Sequence, residues 1–210
     1  MNFGKNNTEV NGKKMIDTGF VIGNGTSRLS YDFRQNFLDG IFYGCNAIHR
    51  DVSCQYIAIT QRKHLAEAIS WNLDTKSKIF TTSALASQMR NPNLNLIPEP
   101  QHHSSTMNSG VGAMLIAAYN HRQVFVFGID FYMSDNEYIN TVYVNTDNYP
   151  QEDTPNDKLA MAKCAQEIGN LTRYHSECNF IFVNNTYELP GVLEINDNVT
   201  GITYDQLDFT

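Results

Sequence analysis

Residues 18–25 read TGFVIGNG, an apolar run over residues 19–22 that stops at a Gly-Asn-Gly turn. A short apolar run bounded by turn residues is typical of a buried strand that ends in a sharp loop. The two glycines let the backbone of that loop approach a ligand closely and expose its amide groups. The same pattern is also typical of any tight turn, so the rest of the chain must decide between the two interpretations.

Outward from this stretch, short apolar strands alternate with segments of helical period. Alternation of this kind indicates a largely parallel sheet that is covered on both faces. We therefore predict an α/β, Rossmann-like fold, with a mostly parallel sheet flanked by helices on both faces. Further strands are predicted at residues 40–45, 54–60, 78–83, 124–127 and 179–185, the last being the final strand, and helices at 63–71, 109–119 and 157–174.

The composition is that of one globular domain. The chain has 210 residues, 41% of them hydrophobic, and a formal net charge of −7. We predict a flexible N-terminal tail over residues 1–14, because they are polar and aperiodic, and one Rossmann-like domain over residues 15–210. The polar stretch 133–155 is long for a loop and is predicted to be a lid, with a short hairpin at residues 138–145.

Several functional classes are disfavoured by the sequence. There is no apolar run long enough to span a bilayer and no apolar signal core, so we expect a cytoplasmic protein that does not engage a membrane. The four cysteines form no CxxC pair, so we expect neither disulfides nor a metal site. The acidic balance argues against a broad basic face for nucleic acid. The sequence leaves the oligomeric state open.

Parallel sheets bind ligands beyond the carboxyl ends of their strands, and the residues there form the candidate site. In the first loop, GNGTS, these are Gly23, Asn24, Gly25 and Ser27. After the second strand, the amide of Asn46 can both donate and accept hydrogen bonds. Its neighbours His49, Arg50 and Asp51 are better explained as a surface salt-bridge cluster.

Two further motifs belong to the same edge of the sheet. In STMNSGVGAM, Ser109 and Gly110 precede an apolar helix and direct its free amides toward a ligand, although a helix cap alone explains such residues. In FGIDFYMSDNEY, Asp130 and Tyr132 follow the strongest strand, and Tyr138 comes six residues after Tyr132. Tyrosine hydroxyls can stabilise the charge of a departing phosphate, although aromatic side chains more often belong to a core.

Taken in order, GNGTS, GCN, NSGVGAM and GIDFY resemble the motif series GNGPS, RCN, TSGV and GIDFY of bacterial sialyltransferase-like glycosyltransferases. The resemblance covers about residues 19–138. It implies a metal-independent glycosyltransferase that needs no cofactor beyond its nucleotide-sugar donor. It also implies that Tyr132 and Tyr138 bind the donor phosphate. The remaining donor contacts that we predict are Gly23, Asn24, Gly25, Ser27, Asn46, Ser109, Gly110 and Asp130.

The sequence departs from the family at the general base. The family has a histidine in the lid, and the corresponding residues 151–154 contain none. Asp153 is our first candidate, with Glu152 beside it, because a carboxylate under a lid can have its pKa raised into a useful range. His103 is a second candidate. Thr26 stands where the family usually has Pro, and Thr60 stands where the family often has Asn.

The acceptor and the rival functions follow from the same resemblance. Small sialyltransferase-like proteins occur in phage genomes, where sugars are added to modified cytosines in DNA, so a hydroxylated or hydroxymethylated cytosine in phage DNA is one candidate acceptor. A DNA acceptor would require several cations beside the carboxyl edge of the sheet, and the available ones are Arg28, Arg34, Arg50, Arg62, Lys63 and Arg90. The alternatives are a pterin pyrophosphokinase-like enzyme, in which Asp130 would help to hold magnesium, and a non-catalytic nucleotide-binding module.

Overall fold

The computed structural model describes residues 9–10, 13–14, 18–33, 39–98, 107–131, 141–150, 158–186 and 188–207. The strands in chain order are β1 (Glu9–Val10), β2 (Lys13–Lys14), β3 (Thr18–Ile22), β4 (Ile41–Cys45), β5 (Tyr56–Ile59), β6 (Lys78–Thr81), β7 (Asn95–Leu96), β8 (Gln123–Phe127), β9 (Asn179–Asn184) and β10 (Val199–Thr203). The α-helices are α1 (Arg62–Ser70), α2 (Ser83–Met89), α3 (Ser109–Ala118), α4 (Lys158–Tyr174) and α5 (Gly191–Glu194).

Eight of these strands form one sheet in the order β10-β9-β8-β3-β4-β5-β6-β7, and every neighbouring pair is parallel. β1 and β2 pair with each other in a separate antiparallel ribbon. From β3 the chain builds the sheet outward to β7 and then returns to the other side of β3 with β8. The strand order therefore reverses between β3 and β8, and such a reversal opens a crevice at the carboxyl ends of the strands.

The sheet is covered on both faces, and its central strands β3 and β8 are apolar along most of their length. In β8, Val124 and Val126 pack into a core that includes the buried side of α3 and Leu171 of α4. Phe125 and Phe127 point to the opposite face and pack with Leu65 of α1. Successive side chains of a strand face opposite sides, so a doubly covered strand is apolar throughout. The predicted α/β, Rossmann-like fold is confirmed.

The N-terminus of α3 shows how the local sequence starts a helix. Asn108 has extended backbone angles, and its side-chain oxygen accepts a hydrogen bond of 2.9 Å from the amide of Val111. This is the usual N-cap arrangement, which satisfies one of the free amides of the first turn. The helix then buries nearly all of its apolar residues, so it lies fixed beneath the carboxyl edge of the sheet.

Some sequence predictions need correction. The strand at residues 179–185 is not the last, because β10 follows it and pairs with it in parallel register. The sequence of β10, VTGIT, is half exposed and carries no apolar run, which is why the pattern missed it. The helices α2 and α5 and the strand β7 were also missed. In the predicted hairpin, residues 141–145 form turns rather than a strand, and residues 138–140 lie outside the described part. None of the described helices is long and apolar enough to cross a membrane.

Candidate functional site

A cavity of about 520 Å³, hereafter the main cavity, opens at the carboxyl ends of β3, β4, β5 and β8. Its walls come from the loops after these strands, from the first residues of α1 and α3, from segment 141–150 and from α4. Seven of the predicted donor-site residues line it: Gly23, Asn24, Gly25, Asn46, Ser109, Gly110 and Asp130. Segments far apart in the chain therefore meet at the point where the strand order reverses.

The first loop passes very close to the loop after β8. The amide of Gly23 donates to the carbonyl of Phe127 at 2.7 Å, and that of Gly25 donates to the carbonyl of Gly128 at 2.7 Å. A Cβ atom at Gly25 would lie 2.8 Å from the oxygen of Gly128 and still closer to the carboxylate of Asp130. Glycine is therefore required at residue 25 for steric reasons, because its φ of −66° suits any residue.

The carboxylate of Asp130 holds this loop in place. It accepts a hydrogen bond of 3.1 Å from the amide of Ser27 and a second, short one from the Ser27 hydroxyl. Burial raises the pKa of Asp130, and the hydrogen bonds from Ser27 oppose that rise. Ser27 is itself buried and does not line the main cavity. The pair therefore positions the loop, while Asn24 and the two glycines present it to the cavity.

Asn24 lies next to Tyr149, a cavity residue that the sequence did not single out. The Asn24 side-chain nitrogen donates to the carbonyl of Cys45 at 3.3 Å and to the hydroxyl of Tyr149 at 3.4 Å, and the carbonyl of Asn24 accepts from the amide of Val142 at 2.9 Å. Its Oδ1 atom is buried without a hydrogen-bond partner among the described residues. Unsatisfied buried polar atoms are rare and call for an explanation.

Three polar side chains join the ends of β4 and β5 to the start of α3. The Ser109 hydroxyl donates to Oδ1 of Asn46 at 2.6 Å. It also lies 2.9 Å from both the amide and the hydroxyl of Thr60. Asn46 has a φ of +48°, in the left-handed region that Asn tolerates better than most residues. The network therefore fixes Asn46 in one orientation on the cavity wall.

His64 is a second cavity residue that sequence reasoning missed. It lies in the first turn of α1, is 2% exposed, and its ring packs on that of Tyr149 with centroids 4.6 Å apart. Nδ1 has no hydrogen-bond partner among the described residues. Burial, with a contribution from the charge of Lys63, lowers the pKa of His64 to about 4, so the imidazole is neutral at neutral pH. The sequence signal for His64 is its position one helix turn after Thr60, the residue that directly follows β5.

Segment 141–150 is held against α1 by hydrogen bonds to an ion pair formed by Arg50 and Glu67 of α1. The guanidinium of Arg50 contacts both carboxylate oxygens of Glu67, at 2.8 and 2.9 Å, and also donates to the Thr146 hydroxyl and the Asp147 carbonyl. Asn148 donates to Glu67 at 2.6 Å. Burial raises the pKa of Glu67, but the hydrogen bonds from Arg50 and Asn148 outweigh this and hold the pKa below its ordinary value.

Two of the cations considered for a DNA acceptor are engaged inside the protein. Arg28 is 2% exposed, contacts Asp51 at 2.7 Å and donates to the hydroxyl of Tyr143 at 3.0 Å. That hydroxyl in turn donates a short hydrogen bond to Asp51. Arg50 is held by Glu67, as described above. Carboxylates engage both guanidiniums, which corrects the prediction that these two arginines are available to DNA. His49, Arg50 and Asp51 do take part in salt bridges, but with Glu67 and Arg28 rather than with one another, and the side chains of His49 and Arg50 are largely buried, so the prediction of a surface cluster is corrected.

The other predicted residues divide into two groups. Arg62, Lys63 and Arg90 are exposed, and Lys63 lines the main cavity. Tyr132, Tyr138, His103, Asp153, Glu152 and Arg34 lie outside the described residues. Within the described ranges, no group of three or more His, Cys, Asp or Glu side chains could hold a metal ion.

Comparison with known proteins gives matches among solved structures. No protein-family model matches the sequence, and no curated protein matches it significantly. A crystal structure of the sialyltransferase CST-II with a trisaccharide acceptor and CMP is 14% identical, with a TM-score of 0.49 over 79% of this chain and 80% of that one. A mutant of the α-2,3/8-sialyltransferase CstII is 12% identical, with a TM-score of 0.47 over 79% and 81%. CstII from Campylobacter jejuni with cytidine-5'-monophosphate, a substrate analogue, is 14% identical, with a TM-score of 0.46 over 79% of each chain. At these identities the likeness concerns the fold alone.

Proposed function

We propose that the protein is a glycosyltransferase that transfers a sugar from a nucleotide-activated donor, bound in the main cavity, to an acceptor hydroxyl. The observation that carries the proposal is the convergence of the GNGTS loop, Asn46 and Ser109–Gly110 on one cavity. These are the residues to which the motif series assigns donor contacts. Because they come from three separate loops, their meeting at one cavity is more specific than any of the motifs alone.

The chemistry of the cavity walls suits a nucleotide. Amide side chains such as those of Asn24 and Asn46 can both donate to and accept from a base or a ribose. Two lysines, Lys63 on α1 and Lys163 on α4, also line the cavity. Their charges favour a phosphate group. Two carboxylates line the same cavity, those of Glu167 and Asp130, and the latter already accepts hydrogen bonds from Ser27. We infer that Asp130 acts on the donor through the loop that it positions.

The transfer requires a general base. As the anomeric carbon forms its bond to the acceptor oxygen, the bond to the nucleotide phosphate breaks, the nucleotide leaves with that electron pair, and the base takes the hydroxyl proton. Asp153 and His103 remain candidates. His64 is a third, because it lines the cavity and is unprotonated at neutral pH. An anionic donor bound nearby would raise its pKa and so strengthen it as a base.

A thermal-shift screen against CMP, UDP, GDP, ATP and their sugar conjugates, with and without magnesium, tests the proposal. Ligand at 100 times its dissociation constant stabilises the native state by about 2.7 kcal/mol. We expect a metal-independent shift with one nucleotide series, followed by turnover of its sugar conjugate. A shift only with ATP and magnesium would favour the pyrophosphokinase alternative. Binding without turnover would favour a non-catalytic module, and no shift at all would contradict a nucleotide site.

A matched pair of variants assigns the shift to the main cavity. Asn24→Asp keeps the side-chain shape but adds a negative charge to the wall of the cavity that would bind the anionic nucleotide, so we expect the nucleotide-induced shift to disappear. Asn170→Asp adds the same charge on the exposed side of α4, outside the cavity, so it should keep the wild-type shift. Equal shifts in both variants would place the nucleotide elsewhere.

A further inference from the structure

A second opening, hereafter the side groove, lies beside the main cavity between α1 and segment 141–150. Its volume is about 630 Å³, and it shares Lys63 and Asn148 with the walls of the main cavity. A ligand in the side groove would therefore lie directly next to a ligand in the main cavity. The remaining residues that line it are Arg50, Ala66, Glu67, Ser70, Trp71, Thr146 and Asp147.

Trp71 is the prominent feature of the side groove. It is the only tryptophan of the chain and is 57% exposed. Its ring is not loose, because it packs edge to face against His49 with centroids 5.2 Å apart, and its amide donates to the carbonyl of Glu67 at 3.1 Å. Tryptophan offers a large apolar surface and a polar N–H at low conformational cost, which makes it a frequent binding anchor.

The charges of the side groove nearly cancel. Arg50 and Glu67 neutralise each other through their two-point contact. Of the other charged residues in the walls, Lys63 is a cation and Asp147 an anion. A nucleic-acid site needs a surplus of cations, and these walls do not provide one.

The polar groups that remain suit a neutral ligand rich in hydroxyls. Hydroxyl and amide side chains, those of Ser70, Thr146 and Asn148, line the walls together with the exposed indole. A sugar ring presents an apolar C–H face to an aromatic ring and hydroxyls to polar groups around it. This combination of an aromatic surface with neutral polar groups matches a saccharide better than a charged polymer.

We propose that the side groove is the binding site for a saccharide acceptor, which stacks on Trp71 and directs one hydroxyl past Lys63 and Asn148 into the main cavity. The proposal rests on the proposed function, because it treats the main cavity as the donor site. It assigns the acceptor to the class of neutral oligosaccharides rather than to DNA.

The single tryptophan makes the test direct, because emission excited where tyrosine does not absorb comes from Trp71, in the wall of the side groove. The probes are lactose, N-acetyllactosamine, maltotriose and a single-stranded oligodeoxynucleotide. We expect a saturable change in emission with at least one saccharide and none with the oligodeoxynucleotide. Emission that changes only with the oligodeoxynucleotide, or with no probe, would overturn the proposal.

Saturation-transfer NMR detects saccharide binding without tryptophan fluorescence, so it can also be applied to a variant that lacks Trp71. Saturation-transfer NMR should show that Trp71→Ala weakens saccharide binding at least tenfold, whereas Tyr119→Ala, which removes a 50% exposed aromatic ring outside the groove, leaves it unchanged. Unchanged binding in Trp71→Ala would overturn the proposal. A nucleotide-induced thermal shift without saccharide binding would refute the side groove but not the proposed function. Saccharide binding without a nucleotide shift would refute the proposed function and with it the role of the side groove as an acceptor site, leaving a saccharide-binding groove alone.

Discussion

Replacing Gly25 with alanine tests whether the close packing of the two loops holds the main cavity together. The added methyl group would lie 2.8 Å from the carbonyl oxygen of Gly128 and nearer still to the carboxylate of Asp130. Neither obstacle is the end of a long, flexible side chain, so the backbone of the loop must move. Overpacking of this kind costs about 1–3 kcal/mol. In a chain of this length, about 2 kcal/mol lowers the Tm by roughly 4–8 °C.

The movement should also change ligand binding, because the displaced loop carries Asn24. We therefore expect Gly25→Ala to lower both the Tm in the absence of ligand and the shift induced by the nucleotide that the screen identifies. The matched control is Gly191→Ala, because a methyl group at residue 191, in α5, meets nothing within 4 Å. That variant should keep or slightly raise the Tm. If Gly25→Ala and Gly191→Ala have the same Tm within error, the steric argument is wrong.

Two further predictions concern the pH dependence of stability. Glu67→Gln removes a carboxylate whose pKa is held below its ordinary value of 4.5, so the stabilisation it provides is present above pH 4.5 and is lost as the pH falls through the folded-state pKa. The difference between wild type and variant in the urea-derived free energy of unfolding should be about 1 kcal/mol at pH 7 and should shrink as the pH falls below 4.5; a constant difference would contradict the ion-pair account. His64→Phe removes an imidazole whose pKa is lowered from 6.5 to about 4, so the wild type should lose roughly 1–3 kcal/mol as the pH falls from 6.5 to 4. The free energy of unfolding of His64→Phe should not show this part of the decrease. If wild type and variant have the same dependence of that free energy on pH, His64 does not stay neutral in the folded state.

The fold could be predicted from the sequence because its central strands bury both faces. A strand such as β8, with Val124 to Phe127 all buried, leaves an uninterrupted apolar run that periodicity detects. The sheet edges lack this signal. β10 at one edge is partly exposed, and β7 at the other has only two residues, Asn95 and Leu96. Their position depends on pairing with a neighbour that is distant in the chain, which no local pattern reports.

The residues of the candidate site also divide into those that the sequence could predict and those that only the fold reveals. Residues that follow a strand directly, such as Asn24, Asn46 and Asp130, could be predicted because the strand end fixes their place at the edge of the sheet. Tyr149 could not, because a tertiary contact brings it to the cavity wall, and the sequence signal for His64 was only its place one helix turn after Thr60. Arg28 shows the converse: its charge suggested a surface role, whereas its partner Asp51 lies 23 residues away in the chain. Only the fold reveals that the two are paired.

The ion pair of Arg50 and Glu67 has a consequence for how the two openings act together. Glu67 accepts a hydrogen bond from Asn148, the residue that lines both the main cavity and the side groove. A ligand that tightens segment 141–150 from one side therefore also positions the wall of the other. Coupling between two sites is reciprocal in free energy, so if a nucleotide raises the affinity for a saccharide by some factor, the saccharide must raise the affinity for the nucleotide by the same factor. In Glu67→Gln both factors should fall toward one, and a coupling that survives in this variant would show that the shared wall is not the route.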